Sequence, residues 1–177
     1  MDDDPRLGAE TAAALASARR RAVRDGDRQI DTAHLLHSLL EHDPQVRAAF
    51  GGGPQLARLL GYLVQRSIGY GLRWQSGVED SGALPVVTVV EGFSPLAATA
   101  LELACVRAAR RDGAPARGVD LLAAIVTDPQ ARAVEVLTHA GADVYELRAR
   151  IEDALREHDE DGLDGREAYV GGGGPAC

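Results

Sequence analysis

The strongest constraint on this chain is that it carries one pattern twice. Displaced by 86 positions, Leu7 falls on Phe93, Leu15 on Leu101, Ala18 on Ala104, Arg21 on Arg107 and Ala22 on Ala108. Leu35-Leu36 falls on Leu121-Leu122, and Leu39-Leu40 on Ile125-Val126. After a one-residue deletion, Asp43-Pro44-Gln45-Val46-Arg47-Ala48 matches Asp128-Pro129-Gln130-Ala131-Arg132-Ala133, with five of six residues identical. Units this small cannot bury their apolar faces alone and must pack on each other. The expectation is an all-α fold of two four-helix repeats related by pseudo-two-fold symmetry.

The apolar spacing supports helices throughout. Leu15, Ala18, Ala22 and Val23 recur at helical intervals across a first helix from about Leu7 to Arg24, which Asp25-Gly26-Asp27 stops. Asp31 or Thr32 caps a second helix whose apolar positions are Leu35, Leu36, Leu39 and Leu40. A short third helix follows Pro44, burying Val46, Ala49 and Phe50, and Gly51-Gly52-Gly53-Pro54 is a turn. Leu56, Leu59, Leu60, Leu63 and Val64 make a fourth helix ending near Ile68. Ser94-Pro95 opens the next helix, built on Leu96, Ala100, Leu103, Ala104 and Ala108 and running to about Arg111. Helices are then expected over about 119–127, 129–139 and 143–157, the last capped by Asp143 with Val144, Leu147, Ile151 and Leu155 as its stripe.

The domain plan is a flexible start at 1–5, repeat one at 6–68, a linker at 69–92, repeat two at 93–157 and a tail at 158–177. The linker contains Trp74, the acidic pair Glu79-Asp80 and the strand-prone run Pro85 to Val90. The tail is acidic and then glycine-rich, a composition that reads as disordered.

Composition narrows function more than it defines it. Apolar residues make up 45% of the chain and aromatics 4%, with much of the apolar share alanine; this favours close helix packing over sheets. The net charge of −8 argues against nucleic acid, and all nineteen basic residues are arginine. No apolar run reaches the ~20 residues of a membrane helix, and Met-Asp-Asp-Asp opens no signal peptide. Two cysteines without metal-ligand spacing, Cys105 and Cys177, point to a reduced, cytoplasmic setting.

The order of short motifs resembles the double Clp N-terminal domain of the bacterial unfoldases ClpA, ClpB and ClpC. The matches are Asp31-Thr32-Ala33-His34-Leu35-Leu36 in the first copy and Phe93-Ser94-Pro95, Gly118-Val119-Asp120-Leu121-Leu122 and Gly141-Ala142-Asp143 in the second. The resemblance covers about residues 6–157. It implies two four-helix repeats and a role in recognising substrates or adaptors of a Clp machine. In ClpC-like members it also implies phosphoarginine binding through a Thr after the first aromatic and a Glu before the helix-start His. Here Gly8 and Ser94 hold the Thr positions, and Ala33 and Val119 hold the Glu positions. A guanidinium needs a carboxylate partner, so phosphoarginine binding in that manner is not expected. Some relatives bind cyclic peptide antibiotics near the aromatic of the second repeat. That implies an apolar binding surface here around Arg6, Leu7, Phe93, Ser94, Pro95 and Leu96.

No catalytic set emerges. Without lysine there is no phosphate-binding P-loop, and no Gly-x-Ser-x-Gly elbow occurs. His34 reads as a structural residue of the helix start, and His37 and His42 as surface residues rather than metal ligands. Cys105 reads as a small buried thiol, and Arg19-Arg20-Arg21 as a solvated helix face. The resulting expectation is a non-enzymatic module without cofactor or metal, and with neither nucleic acid nor membrane as partner. It carries the recognition unit without the motor and binds a Clp unfoldase or its protein substrates as adaptor or decoy. The alternative is a protein that sequesters a Clp-directed cyclic peptide.

Overall fold

A computed structural model describes residues 4–67, 79 and 92–156. The run Pro85 to Val90, Trp74 and the tail at 158–177 lie outside the described residues. Those described form eight helices and no strand. They are α1 (Ala9–Asp25), α2 (Thr32–His42), α3 (Pro44–Ala49), α4 (Gly53–Ser67), α5 (Pro95–Arg111), α6 (Gly118–Ile125), α7 (Arg132–His139) and α8 (144–156). The all-α expectation holds at that level.

Most helix ends follow local chemistry. Asp31 accepts a hydrogen bond from His34 N at 2.9 Å and gives its own amide to His34 Nδ1 at 3.1 Å, a reciprocal cap for α2. Asp43 Oδ1 caps α3 through Gln45 N and Val46 N, with Pro44 in the first turn where its missing N–H costs nothing. Ser94 Oγ caps α5 through Ala97 N at 3.1 Å, and Asp143 Oδ1 caps α8 through Tyr145 N and Glu146 N. Gly26 ends α1 at φ 74°, a left-handed turn that lets Asp27 N reach back to Ala22 O at 2.9 Å.

The core surrounds α2. Its residues from Thr32 to Leu40 are all buried, and it packs against α1, α3, α4, α5, α6 and α7. A helix meeting neighbours all round loses its solvent face, so His37 is buried at 3% exposure rather than lying on the surface as its sequence position suggested. α6 is buried along its whole length and packs against α5, α3, α2 and α1. Gly118 at its start allows this approach: a Cβ there would collide with the Asp43 carboxylate and meet Leu39 Cδ2 at 3.1 Å. Leu147, Ile151 and Leu155 bury α8 against the same core. Not every position of the apolar stripes is buried: Val23 is 76% exposed, and Val64 and Leu103 are also exposed.

Two short backbone crossings tie distant segments together. Leu7 pairs with Ala116 in parallel, through Gly8 N to Ala116 O at 2.9 Å and Ala116 N to Arg6 O at 2.7 Å. Ile30 pairs with Phe93, through Ile30 N to Gly92 O at 2.6 Å and Ser94 N to Ile30 O at 3.0 Å. Each crossing places the entry to one helix beside the entry to another. The second crossing brings the starts of α2 and α5 together.

Candidate functional site

A helix exposes its first amides at its N-terminus, and those donors need acceptors. α7 has Ala131 at its cap position, a side chain that cannot accept. Its first two amides are satisfied from elsewhere. Arg132 N donates to Glu79 Oε1 at 2.7 Å, and Ala133 N donates to Thr32 Oγ1 at 3.0 Å. This is why α7 begins at Arg132 rather than at Pro129: its cap is tertiary.

Glu79 is the centre of the arrangement. Its Oε1 also accepts from the Thr32 hydroxyl in a short hydrogen bond. Its Oε2 accepts from Thr32 N at 3.0 Å and from Ser94 Oγ at 2.5 Å. Four donors from the starts of α2, α5 and α7 thus converge on one carboxylate, two on each oxygen. An ionised carboxyl group is acceptor-only with about four lone-pair sites, so its capacity is filled. Glu79 is 4% exposed, Thr32 1% and Ser94 0%. Beside it, Arg132 Nη1 pairs with buried Asp31 Oδ2 at 2.9 Å. The helix N-termini add partial positive charge, which makes a buried anion tolerable here.

A cleft of about 130 Å³ continues from this node. Its walls include Thr32, Leu96, Ala100, Leu103, Ala124 and Ala131, so Thr32 borders both the carboxylate and the apolar space. The combination is a polar anchor beside an apolar trough, suited to holding a side chain and the segment that carries it.

The residues singled out from sequence fall in two places. Ser94 and Leu96 belong to the Glu79 node and its cleft, with Ala33 fully buried next to Thr32. Phe93 is 3% exposed and serves the Ile30 crossing, while Pro95 is half-buried in the first turn of α5. Leu7, Gly8 and Val119 lie at or near the other crossing, with Leu7 and Val119 buried and Gly8 N bonded to Ala116 O. Arg6 is exposed; hydrogen bonds from its guanidinium to Asp4 and Glu102 raise its pKa. Two important residues, Glu79 and Arg132, carried no signal. Glu79 lies outside the repeated pattern, and only the capless Ala131 hinted that α7 needed an outside acceptor.

The Leu7–Ala116 crossing has its own charged node. Asp120, fully buried, accepts from Arg117 N at 2.9 Å and from Arg111 through both terminal guanidinium nitrogens. Arg117 stands where Asp31 stands in the first copy, and Asp120 where His34 stands. Arginine has no acceptor, so only half of the reciprocal cap survives there. Cys105 is buried, and that burial pushes its thiol pKa up, away from a reactive thiolate.

His34 and His37 are both buried in the helix packing. His34 Nδ1 accepts from Asp31 N, which leaves Nε2 as the ring donor, 3.0 Å from Asp27 Oδ2. Burial and the neighbouring Arg21 hold the His37 pKa down at about 4. Among the described residues no group of three or more His, Cys, Asp or Glu side chains is placed to hold a metal ion. Among the same residues, no helix is long and apolar enough to cross a membrane. No family model matches the chain, and no curated protein matches it in sequence.

Proposed function

We propose that this chain is a non-enzymatic protein- or peptide-binding module of the double Clp N-terminal kind, acting as adaptor or decoy in Clp-dependent proteolysis. The observation that carries the reading is the pair of crossings. Leu7 with Ala116 and Ile30 with Phe93 are the same contact exchanged between copies, because Phe93 is Leu7 displaced by 86 positions and Ala116 is Ile30 displaced by 86. Two units that pin each other in this reciprocal way fit a pseudo-two-fold dimer of four-helix repeats, α1–α4 and α5–α8. The Asp31-Thr32-Ala33-His34 start of α2 supports the same family by motif. The phosphoarginine manner of binding is not part of the proposal: Ala33 and Val119 bring no carboxylate, and the acceptors of Glu79 are already filled.

The test is direct binding to a purified Clp unfoldase, by pull-down and calorimetry across a range of salt. Saturable binding, or competition with the unfoldase's own N-terminal domain for a client, is the expected result. Recovery of neither the unfoldase nor a client rejects the reading. The apolar cleft beside Leu96 favours a second reading, sequestration of a Clp-directed cyclic peptide. Such a ligand must then raise the melting temperature; an unchanged transition at saturating peptide rejects it.

A further inference from the structure

We propose that the cradle formed by Thr32, Ser94 and the first amide of α7 is a carboxylate receptor whose resident occupant is the chain's own Glu79. An acidic side chain of a bound peptide takes the same seat when Glu79 leaves it. The inference rests on the reading of the chain as a peptide-binding module and names the chemistry that its site recognises.

Glu79 is held the way a ligand is held. Its carboxylate receives four donors from the starts of three helices, all far from it in sequence. The backbone contact to α5, Leu96 N to Glu79 O, is 3.5 Å long, at the limit of a hydrogen bond. Among the described residues the side chain, not the backbone, makes the strong contacts. The donors are themselves fixed: Ser94 Oγ also caps α5 through Ala97 N, and Thr32 Oγ1 is bonded by Ala133 N. They form a preorganised set, which lowers the cost of binding.

The cradle also selects. Both oxygens meet two donors each, so the occupant must be acceptor-only at both. A carboxylate satisfies this; an amide puts its NH₂ against donors. The cleft that starts at Thr32 and Leu96 gives an apolar path for the residues next to the acidic one. The expected ligand is therefore a segment that carries a Glu with small or apolar residues close to it. The occupied seat makes the wild-type chain self-inhibited toward such segments.

Two assays on the full chain test this. In the first, the Glu79→Ala variant is melted in sodium acetate and in sodium chloride at equal ionic strength. Acetate is expected to raise its midpoint by about 2–4 °C at tenfold excess over Kd, and to leave the wild type unmoved. In the second, which covers the case where that variant does not fold, a labelled peptide of the sequence GVEDSGAL is titrated into the Glu79→Gln variant. It is expected to bind at least about tenfold tighter than to wild type, and about tenfold tighter than the same peptide carrying Gln in place of Glu. Equal midpoints of a folded Glu79→Ala variant in the two salts, or equal affinity for the Glu and Gln peptides, overturns the proposal. Neither assay contains an unfoldase. Their failure leaves the proposed function standing, and a failed unfoldase pull-down leaves this inference standing.

Discussion

Replacing Glu79 by Gln changes one oxygen to an NH₂ group at nearly constant shape, and its effect on stability can be worked out from four contacts. Two of them survive if the remaining oxygen keeps Arg132 N and the Thr32 hydroxyl. The other two donors, Thr32 N and Ser94 Oγ, then face an amide. The serine hydroxyl can turn and accept instead, because oxygen has a second lone pair. Thr32 N cannot turn, since its direction is set by α2. One buried backbone donor is left facing another donor, which costs about 1–3 kcal/mol. The surviving bonds lose their ionised acceptor and weaken by about 1 kcal/mol together. An opposing effect exists, because an uncharged amide avoids the desolvation of a carboxylate. Four donors and three helix N-termini have already offset that desolvation, so the net loss should be about 2–4 kcal/mol. The assay is urea unfolding followed by far-UV circular dichroism, with the slope unchanged and the midpoint lowered. A loss below ~0.5 kcal/mol is what a solvent-exposed linker residue would give. That result, or any stabilisation, refutes the four-donor node.

Other consequences follow from the same packing. His37 has its pKa lowered from 6.5 to about 4, so the unfolded chain takes up a proton that the folded chain refuses. Stability from this group is complete above pH 6.5 and falls by up to ~3 kcal/mol as pH drops toward 4. His37→Gln should flatten the slope between pH 6.5 and 5 in pH-resolved urea melts; an unchanged slope excludes His37 as its source. Gly118→Ala should destabilise by about 1–3 kcal/mol, because the new methyl meets the Asp43 carboxylate, which is buried and engaged in capping α3. A Gly118→Ala variant as stable as wild type would show that α3 and α6 are not so close. Leu36→Ala should cost about 2–5 kcal/mol, since Leu36 is fully buried on the helix that meets six others. A thermal-melt loss under ~1 kcal/mol would mean that α2 is not central. Finally, a double-mutant cycle on Asp31 and Arg132 should return a coupling of about 1–2 kcal/mol, from a pair at 2.9 Å whose carboxylate is fully buried. A coupling near zero would mean the pair does not form in solution.

Much of the candidate site could not be reached from one-dimensional pattern because its parts come from separate elements. Ser94 was legible as a cap, since Ser before Pro at a helix start has a local mechanism. Thr32 was legible as part of a helix entry. That these two face each other depends on the Ile30 crossing, a contact between residues sixty-odd positions apart. Among the described residues the partners of its carboxylate are all distant in sequence, so no short-range pattern marks Glu79. The extent of burial was equally hidden for single residues. His37 lies on α2 one turn from the buried leucines, and whether that face meets solvent depends on how many helices surround it. Val23 shows the converse: it follows the apolar spacing of α1 closely enough to be counted with it, yet sits beyond the stripe that α2 covers and stays 76% exposed.

The sequence by itself determined that the chain is helical, the caps at Asp31, Ser94 and Asp143, and the duplicated pattern. These depend on spacing, short side-chain-to-backbone hydrogen bonds and proline or glycine geometry, all of which act within a few residues. Only the tertiary structure decided which helix became the centre, where α7 begins and what fills the space between α2, α5 and α7. Those outcomes are set by buried donors seeking acceptors across the chain. The acceptor that settled them, Glu79, belongs to neither copy of the repeat.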